Sequence, residues 1–423
     1  MKKYSEMTVA EMKSELEVLK AEYKKLQGEN LSLNMARGRP SEEQLCIAED
    51  ILSDKSYVAE NGFDCRNYGI VDGIPEAKRM FAQILEVPSE NVFVGGNSSL
   101  SLMYDCVIWS VLFGNINSEK PWKDCGKVKF LCPVPGYDRH FAICEELGIE
   151  MINVPLGEEG PDMDRVERLV AEDESIKGIW CVPKYSNPTG ITYSDETVKR
   201  FAALKPAAKD FRIFWDNAYC VHDLDVENPD KLLNLYTECE KNGTLDMCYI
   251  FSSTSKISFA GGGVSCVAAS KGNIAEIKKR MTIKTIGYDK LAQLHHARYF
   301  KDLAAVKDTM DRHSKYMKVR FDAVLDTLEK ELSGYGIAKW TNPRGGYFIS
   351  FDTIPHCAKR VVALCKDAGV VLTGAGATFP YGKDENDSNI RIAPSCPTPE
   401  ELLLAAKLFS LCVKIASLEK MIG

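Results

Sequence analysis

The chain has 423 residues, 45% of them hydrophobic and 27% charged, proportions that exclude a disordered or fibrous protein and suit a large domain carrying a smaller one. Its 53 basic and 60 acidic side chains leave a net charge of −7 with no basic stripe, so a nucleic-acid partner is not expected. The fifteen cysteines are scattered, odd in number and free of any C-x-x-C pair, against a disulfide framework or a zinc site. No metal is therefore expected. Reduced thiols, a charged N-terminus and no apolar run near the ~18 residues of a membrane span read as a cytoplasmic protein.

In chain order, Val9, Met12, Leu16, Leu19, Tyr23 and Leu26 recur at three- and four-residue steps, the stripe of an amphipathic helix packed on the body. Thr8, with Glu11 three residues on, would cap its start. From Asn91 onward short apolar runs alternate with helical patterns: NVFVGG, SLSLMYDCVIWSVLF, KVKFLCPV, DRHFAICEELG and IKGIWCVP. FRIFWD, MCYIFSS and VSCVAAS continue the series to Ser270. This is the signature of βαβ units, with about seven strands in a mostly parallel sheet. Beyond Lys271 the chain turns helical through Glu331, then carries two strand-like segments, GGYFISFD and NIRIAPS. The expected fold class is α/β, with residues 1–50 forming an N-terminal helix and arm that join the small domain, 51–300 the large α/β domain, and 301–423 a smaller α+β domain. The helix near 300–331 is the expected connector.

Most polar signals fall where predicted strands end, which is where open α/β sheets bind ligands. In SSTSK, Lys256 follows the strand MCYIF in a turn of small residues, a setting suited to a Schiff-base lysine, although a surface lysine fits as well. Asp216 closes the strand FRIFWD and Tyr219 stands three residues on. A carboxylate under a strand end needs a cation, and a protonated pyridine nitrogen is one; a helix cap and a packing tyrosine are the plain alternative. Asn187, in VPKYSNPTG, is aimed by an extended pre-proline backbone or simply opens a turn.

VFVGGNSSLSLMYD runs from strand through two glycines into a helix, so the Asn97 segment and the hydroxyls of Ser98 and Ser99 converge with free backbone N–H groups, a good cradle for phosphate. A helix cap alone explains one serine and not the whole run. Tyr137, in PVPGYDRH, could stack on an aromatic ring or fill the core. Arg391, in NIRIAPS, is a guanidinium in an apolar strand and needs an anion, either a substrate carboxylate or a structural acid.

Taken in order, Asn187-Pro-Thr-Gly, Asp216-x-x-Tyr219, Ser253-x-x-Lys256 and Arg391 resemble the fold-type I, class I/II aminotransferases, and NSSLSLMYD with SKISFAG resembles a bacterial aspartate aminotransferase branch. The resemblance spans the chain from about Leu33. It implies pyridoxal 5′-phosphate bound by Lys256, with Asp216 on the pyridine nitrogen, Tyr219 and Asn187 on the phenolate oxygen, Tyr137 against the ring and His140 behind Asp216. Asn97, Ser98, Ser99, Ser253 and Ser255 would surround the phosphate, and Tyr68 would reach the neighbouring subunit of a homodimer with shared active sites. Arg391 would take the α-carboxylate and Gly38 would close over the substrate.

Two departures stand out. The family's phosphate-binding arginine, about eight residues after the lysine, is Val264 here, and Gly38 is flanked by Arg37 and Arg39, either of which could hold a distal carboxylate. The implied reaction is ping-pong transfer of an amino group between an amino acid, aspartate as the best match, and a 2-oxo acid such as 2-oxoglutarate. A β-eliminating C–S lyase or a decarboxylase would use the same lysine and aspartate. A non-catalytic regulatory protein with an aminotransferase-like body is the alternative of a different class, but the residues before the body form at most one helix, too little for a DNA-binding head.

Overall fold

The computed structural model describes residues 2–423. The N-terminal stripe forms a helix over Val9–Gln27, with Thr8 and Glu11 closing the expected capping box, an arrangement worth about 1 kcal/mol. Met12, Leu16, Leu19 and Tyr23 are buried along it, whereas Val9 in the first turn is exposed.

The large sheet is ordered Val92–Val94, Ser265–Ala269, Cys248–Ser253, Arg212–Asp216, Ile176–Cys181, Lys129–Val134 and Glu150–Gly157, with the two-residue strand Gly160–Pro161 at the far edge. Pairing is parallel from Cys248–Ser253 through Glu150–Gly157 and antiparallel on both sides of Ser265–Ala269. All six apolar runs named from the sequence are strands. The seventh, Glu150–Gly157, is only partly buried and carries a proline and a glycine, so it lacks the continuous apolar run that marks a central strand. The eighth is too short to show a pattern.

Central strands are buried along their whole length because helices cover both faces. One face packs Phe130, Trp180, Phe214 and Phe251, with Phe214 stacked on Phe251 at 6.0 Å. The other packs Ile179, Ile213, Trp215 and Ile250. Strand alternation therefore puts Arg212, Phe214 and Asp216 on one side and Ile213 and Trp215 on the other.

A second core joins Met12, Leu16, Leu19 and Tyr23 to Phe351, Leu364, Phe409 and Val413, so the first helix is clamped by the last one, Pro399–Ile422. The small antiparallel sheet runs Ala338–Trp340, Ile349–Thr353 and Asn389–Ile392, and a separate parallel pair joins Leu33–Asn34 to Val370–Val371. Between the two cores runs the thirty-residue helix Leu303–Leu332, capped by Asp302. Val306 and Met310 belong to the large core, and Met317, Phe321, Val324 and Leu328 to the small one. A single rigid rod of about 45 Å thus sets the large sheet's edge opposite the small sheet. Among the described residues no helix is long and apolar enough to cross a membrane, and all fifteen cysteines are free.

Candidate active site

The site lies at the carboxyl ends of the parallel strands. Asp216 ends its strand on the Phe214 face and is buried. His140 Nε2 holds one carboxylate oxygen, Oδ2, at 3.0 Å. The other oxygen, Oδ1, is buried with no partner. The histidine is itself fixed by stacking on Trp180, centroid to centroid 4.4 Å and 11° from parallel. An orphaned carboxylate oxygen in a dry pocket is costly by about 1–3 kcal/mol, and a cationic donor would remove that cost.

Lys256 follows Cys248–Ser253 in a turn in which Ile257 N and Ser258 N both donate to Thr254 O. Its amine is 5.0 Å from the Tyr219 ring centroid and 5.9 Å from that of Tyr347. Burial lowers its pKa below the ordinary lysine range, opposed by the Asp216 carboxylate, so the neutral amine is easier to reach. Tyr219 is buried and its phenol is pushed well above the usual value by that burial, then by Tyr137 and Asp216. It therefore stays a hydrogen-bond donor. Tyr137 meets His140 edge to face at 4.9 Å and is pushed up to about 12, mostly by burial. The turn before it requires Gly136, because a Cβ there would come within 2.5 Å of Pro133 O.

The hydroxyl-rich segments also meet. Ser253 Oγ donates to Ser255 Oγ at 3.0 Å, and Ser255 Oγ donates to the Asn97 carbonyl at 3.2 Å. Asn97 Nδ2 in turn donates to the carbonyls of Ala260 and Gly261, each at 3.3 Å. Ser98 stands at the N-cap of the helix Ser99–Phe113, yet its hydroxyl makes no cap bond. First-turn N–H groups of a helix lack intrahelical partners, so a cup of amides and hydroxyls opens there. Val264 is no part of it. Its side chain is buried in the large core, and its backbone pairs with Thr254 through N–H to Oγ1 at 3.0 Å and carbonyl to N–H at 2.8 Å. Tyr68 is 78% exposed.

Arg391 brings the small sheet to the site. Its Nη1 donates to Asp138 Oδ1 at 2.8 Å and to Asn187 Oδ1 at 3.2 Å, and its Nη2 to Thr373 Oγ1 at 3.3 Å. The bond to Asn187 Oδ1 turns that side chain's N–H₂ the other way. Phe348 lies beneath the guanidinium at 4.9 Å, a cation–π contact. The N-terminal arm closes over the same ring: a Cβ on Gly38 would come within 2.4 Å of Phe348, so only glycine lets the arm lie there. Thr373 Oγ1 donates to Ala36 O at 2.6 Å, tying the arm to the arginine's neighbour. Arg37 and Arg39 are exposed on either side of Gly38.

Several site residues carried no sequence signal of their own. Tyr347 is buried beside the lysine and accepts from Gln44 Nε2 at 3.1 Å, and Gln44 also meets His313 Nδ1 at 3.2 Å. His222 packs edge-on against Tyr219 and Tyr347, and neither of its ring nitrogens has a partner. Burial, then the charge of Lys256, holds its pKa well below the usual histidine range, so it is neutral.

The aspartate amino-transferase family model matches residues 7–423. The chain is 45% identical to aspartate aminotransferase of Corynebacterium glutamicum over 406 residues, covering 95% of this chain and 94% of that one. The crystal structure of an aspartate transaminase from the same species superposes with a TM-score of 0.95 at 43% identity, covering 98% of each chain. The fold extends to LysN, an α-aminoadipate aminotransferase of Thermus thermophilus solved with N-(5′-phosphopyridoxyl)-L-leucine, at TM-score 0.73 and 19% identity over 92% of this chain and 93% of that one. With a family match and a close likeness that both run nearly from end to end, the chain belongs to the aspartate amino-transferase family.

Proposed function

We propose that the protein moves an amino group between aspartate and 2-oxoglutarate with pyridoxal 5′-phosphate held at Lys256. The observation that carries this reading is the pair formed by Asp216 and Lys256: a buried carboxylate with one oxygen free for a cationic donor and a desolvated amine between two tyrosine rings. When bound, pyridoxal phosphate supplies an aldehyde that takes up the amino group and a protonated pyridine ring that draws electrons from the substrate's Cα.

The chain's own residues do the rest. Asp216, oriented by His140, holds the ring proton in place, and Tyr219 and the Asn187 amide donate to the phenolate oxygen. Tyr137 packs on the ring face. The cup of Ser98, Ser99, Ser253, Ser255 and the Asn97 backbone receives the phosphate with amides and hydroxyls, which suits a site whose residue 264 is core valine. Tyr68, exposed in the single subunit, reaches the phosphate of a second subunit in a two-fold dimer. Arg391 binds the α-carboxylate, Gly38 brings the arm down, and Arg37 or Arg39 meets the distal carboxylate. Lys256 Nζ would lift the proton from the substrate's Cα. Its lowered pKa favours the neutral base that this step needs.

The test is transfer itself. Aspartate with 2-oxoglutarate should yield oxaloacetate and glutamate, and Lys256→Ala should lower turnover by about 10⁴-fold, the upper range for losing a positioned general base. Normal turnover in Lys256→Ala, or no glutamate formed by the cofactor-supplemented wild type, overturns the reading.

A further inference from the structure

Asp138 and Arg391 come from opposite halves of the molecule. Asp138 is the first residue of the helix Asp138–Glu146 beside the large sheet, and Arg391 stands on Asn389–Ile392 in the small one. Their contact, Nη1 to Oδ1 at 2.8 Å, joins a side chain 7% accessible to one 32% accessible. A guanidinium that deep is costly without an anion. Asp138 is the only carboxylate in ion-pair contact with it among the described residues.

The way the donors are spent is informative. In an arginine fork Nη1 lies on the Cδ side, and Nε and Nη2 form the opposite edge. Both strong acceptors, Asp138 Oδ1 and Asn187 Oδ1, take Nη1. Nη2 has the hydroxyl of Thr373 at 3.3 Å, and Nε is buried with no partner at all. The two-pronged edge that a carboxylate would grip is thus left underused while the far nitrogen is saturated.

We propose that Asp138 is a resident counter-ion of Arg391, which positions the guanidinium with its Nε–Nη2 edge free of any acidic partner and weakens its pull on an incoming carboxylate. This rests on the reading of Arg391 as the α-carboxylate site. A bound substrate carboxylate is then the second anion on one guanidinium, and the two repel. Transfer needs that balance, because each half-reaction must release a 2-oxo acid or an amino acid carrying the same carboxylate before the next substrate enters. Between occupants, Asp138 neutralises the arginine.

Asp138→Asn keeps an acceptor of the same shape and removes the charge. It should lower KM for both aspartate and 2-oxoglutarate, and the inhibition constant of the unreactive dicarboxylate succinate, by roughly three- to tenfold, since Asp138 is partly solvated and screened. The turnover number should change less than KM. Asp138→Ala, which also removes the acceptor, should lose part of that gain. Unchanged or raised constants in Asp138→Asn overturn the proposal. Arg391→Ala is the companion measurement: if it leaves succinate binding intact, the assignment of the carboxylate site falls, whereas weakened succinate binding there with no effect of Asp138→Asn sinks only the counter-ion.

Discussion

The two walls of the site are built differently. On the large-sheet wall, Asp216, His140 and Trp180 are buried, stacked and hydrogen-bonded in series, and each is carried on a strand or helix of the large sheet's layers. The opposite wall draws Arg391 from the small sheet, Thr373 and Phe348 from loops around it, and Gly38 with its arginines from an arm some 350 residues earlier in the chain. Its contacts cross between cores. The wall that would hold the electron-withdrawing ring is thus fixed by neighbours packed along one sheet, and the wall that would grip a changing substrate is assembled from segments far apart in the chain.

That contrast can be broken at three points. The largest effect is expected on the large-sheet wall. Asp216→Asn keeps a partner for His140 but removes the anion, and turnover should fall by about 10²–10³-fold, the scale of losing one preorganised electrostatic contact. Steady-state transamination within tenfold of wild type would mean that the carboxylate is a structural cap after all.

The next test falls on the seam. His313, on the connecting helix, touches Ile257 O at 3.2 Å beside the lysine and Gln44 in the arm. Burial lowers its pKa from 6.5 to about 4, against a smaller raising effect of the Ile257 carbonyl. A base depressed on folding favours the neutral form, so its contribution is intact above the unfolded value and is lost as pH falls from 6.5 towards 4. At pH 5 the fold should lose about 2 kcal/mol through this one group. Denaturant melts at pH 7.5 and 5 should therefore converge in His313→Gln, and an unchanged gap would show that other groups carry the acid sensitivity. The smallest effect belongs to the arm. Arg37→Ala or Arg39→Ala should raise KM for aspartate and glutamate by about tenfold, one exposed charge-assisted contact, with alanine unaffected. Equal losses on all three donors would detach the arm from side-chain recognition.

Legibility in the sequence follows the same division. Asp216 closes an apolar run, and Lys256, Asn187 and the serine-rich turn each follow one within a few residues, so their placement at one sheet edge could be anticipated from local pattern and the parallel-sheet rule alone. Arg391 announced itself as a charge inside an apolar strand, but its acid, Asp138, read as an ordinary helix start. Gln44, Tyr347, His222 and His313 are core-like residues in unremarkable segments, and nothing local distinguishes a buried histidine that packs from one that faces a reactive amine.

What the sequence determined on its own was periodic and local: which segments are strands, which are helices, where the first helix is capped, and which polar residues end a strand. What only the tertiary structure decided was convergence. Gly38 meets Phe348, Thr373 meets Ala36, and Arg391 meets Asp138 across hundreds of residues because packing two cores against a shared helix brings them there, and contacts of that range leave no period in the chain. The valine at 264 shows both sides: its identity denied a phosphate-binding cation at once, but only its burial in the large core explains why a valine fits there.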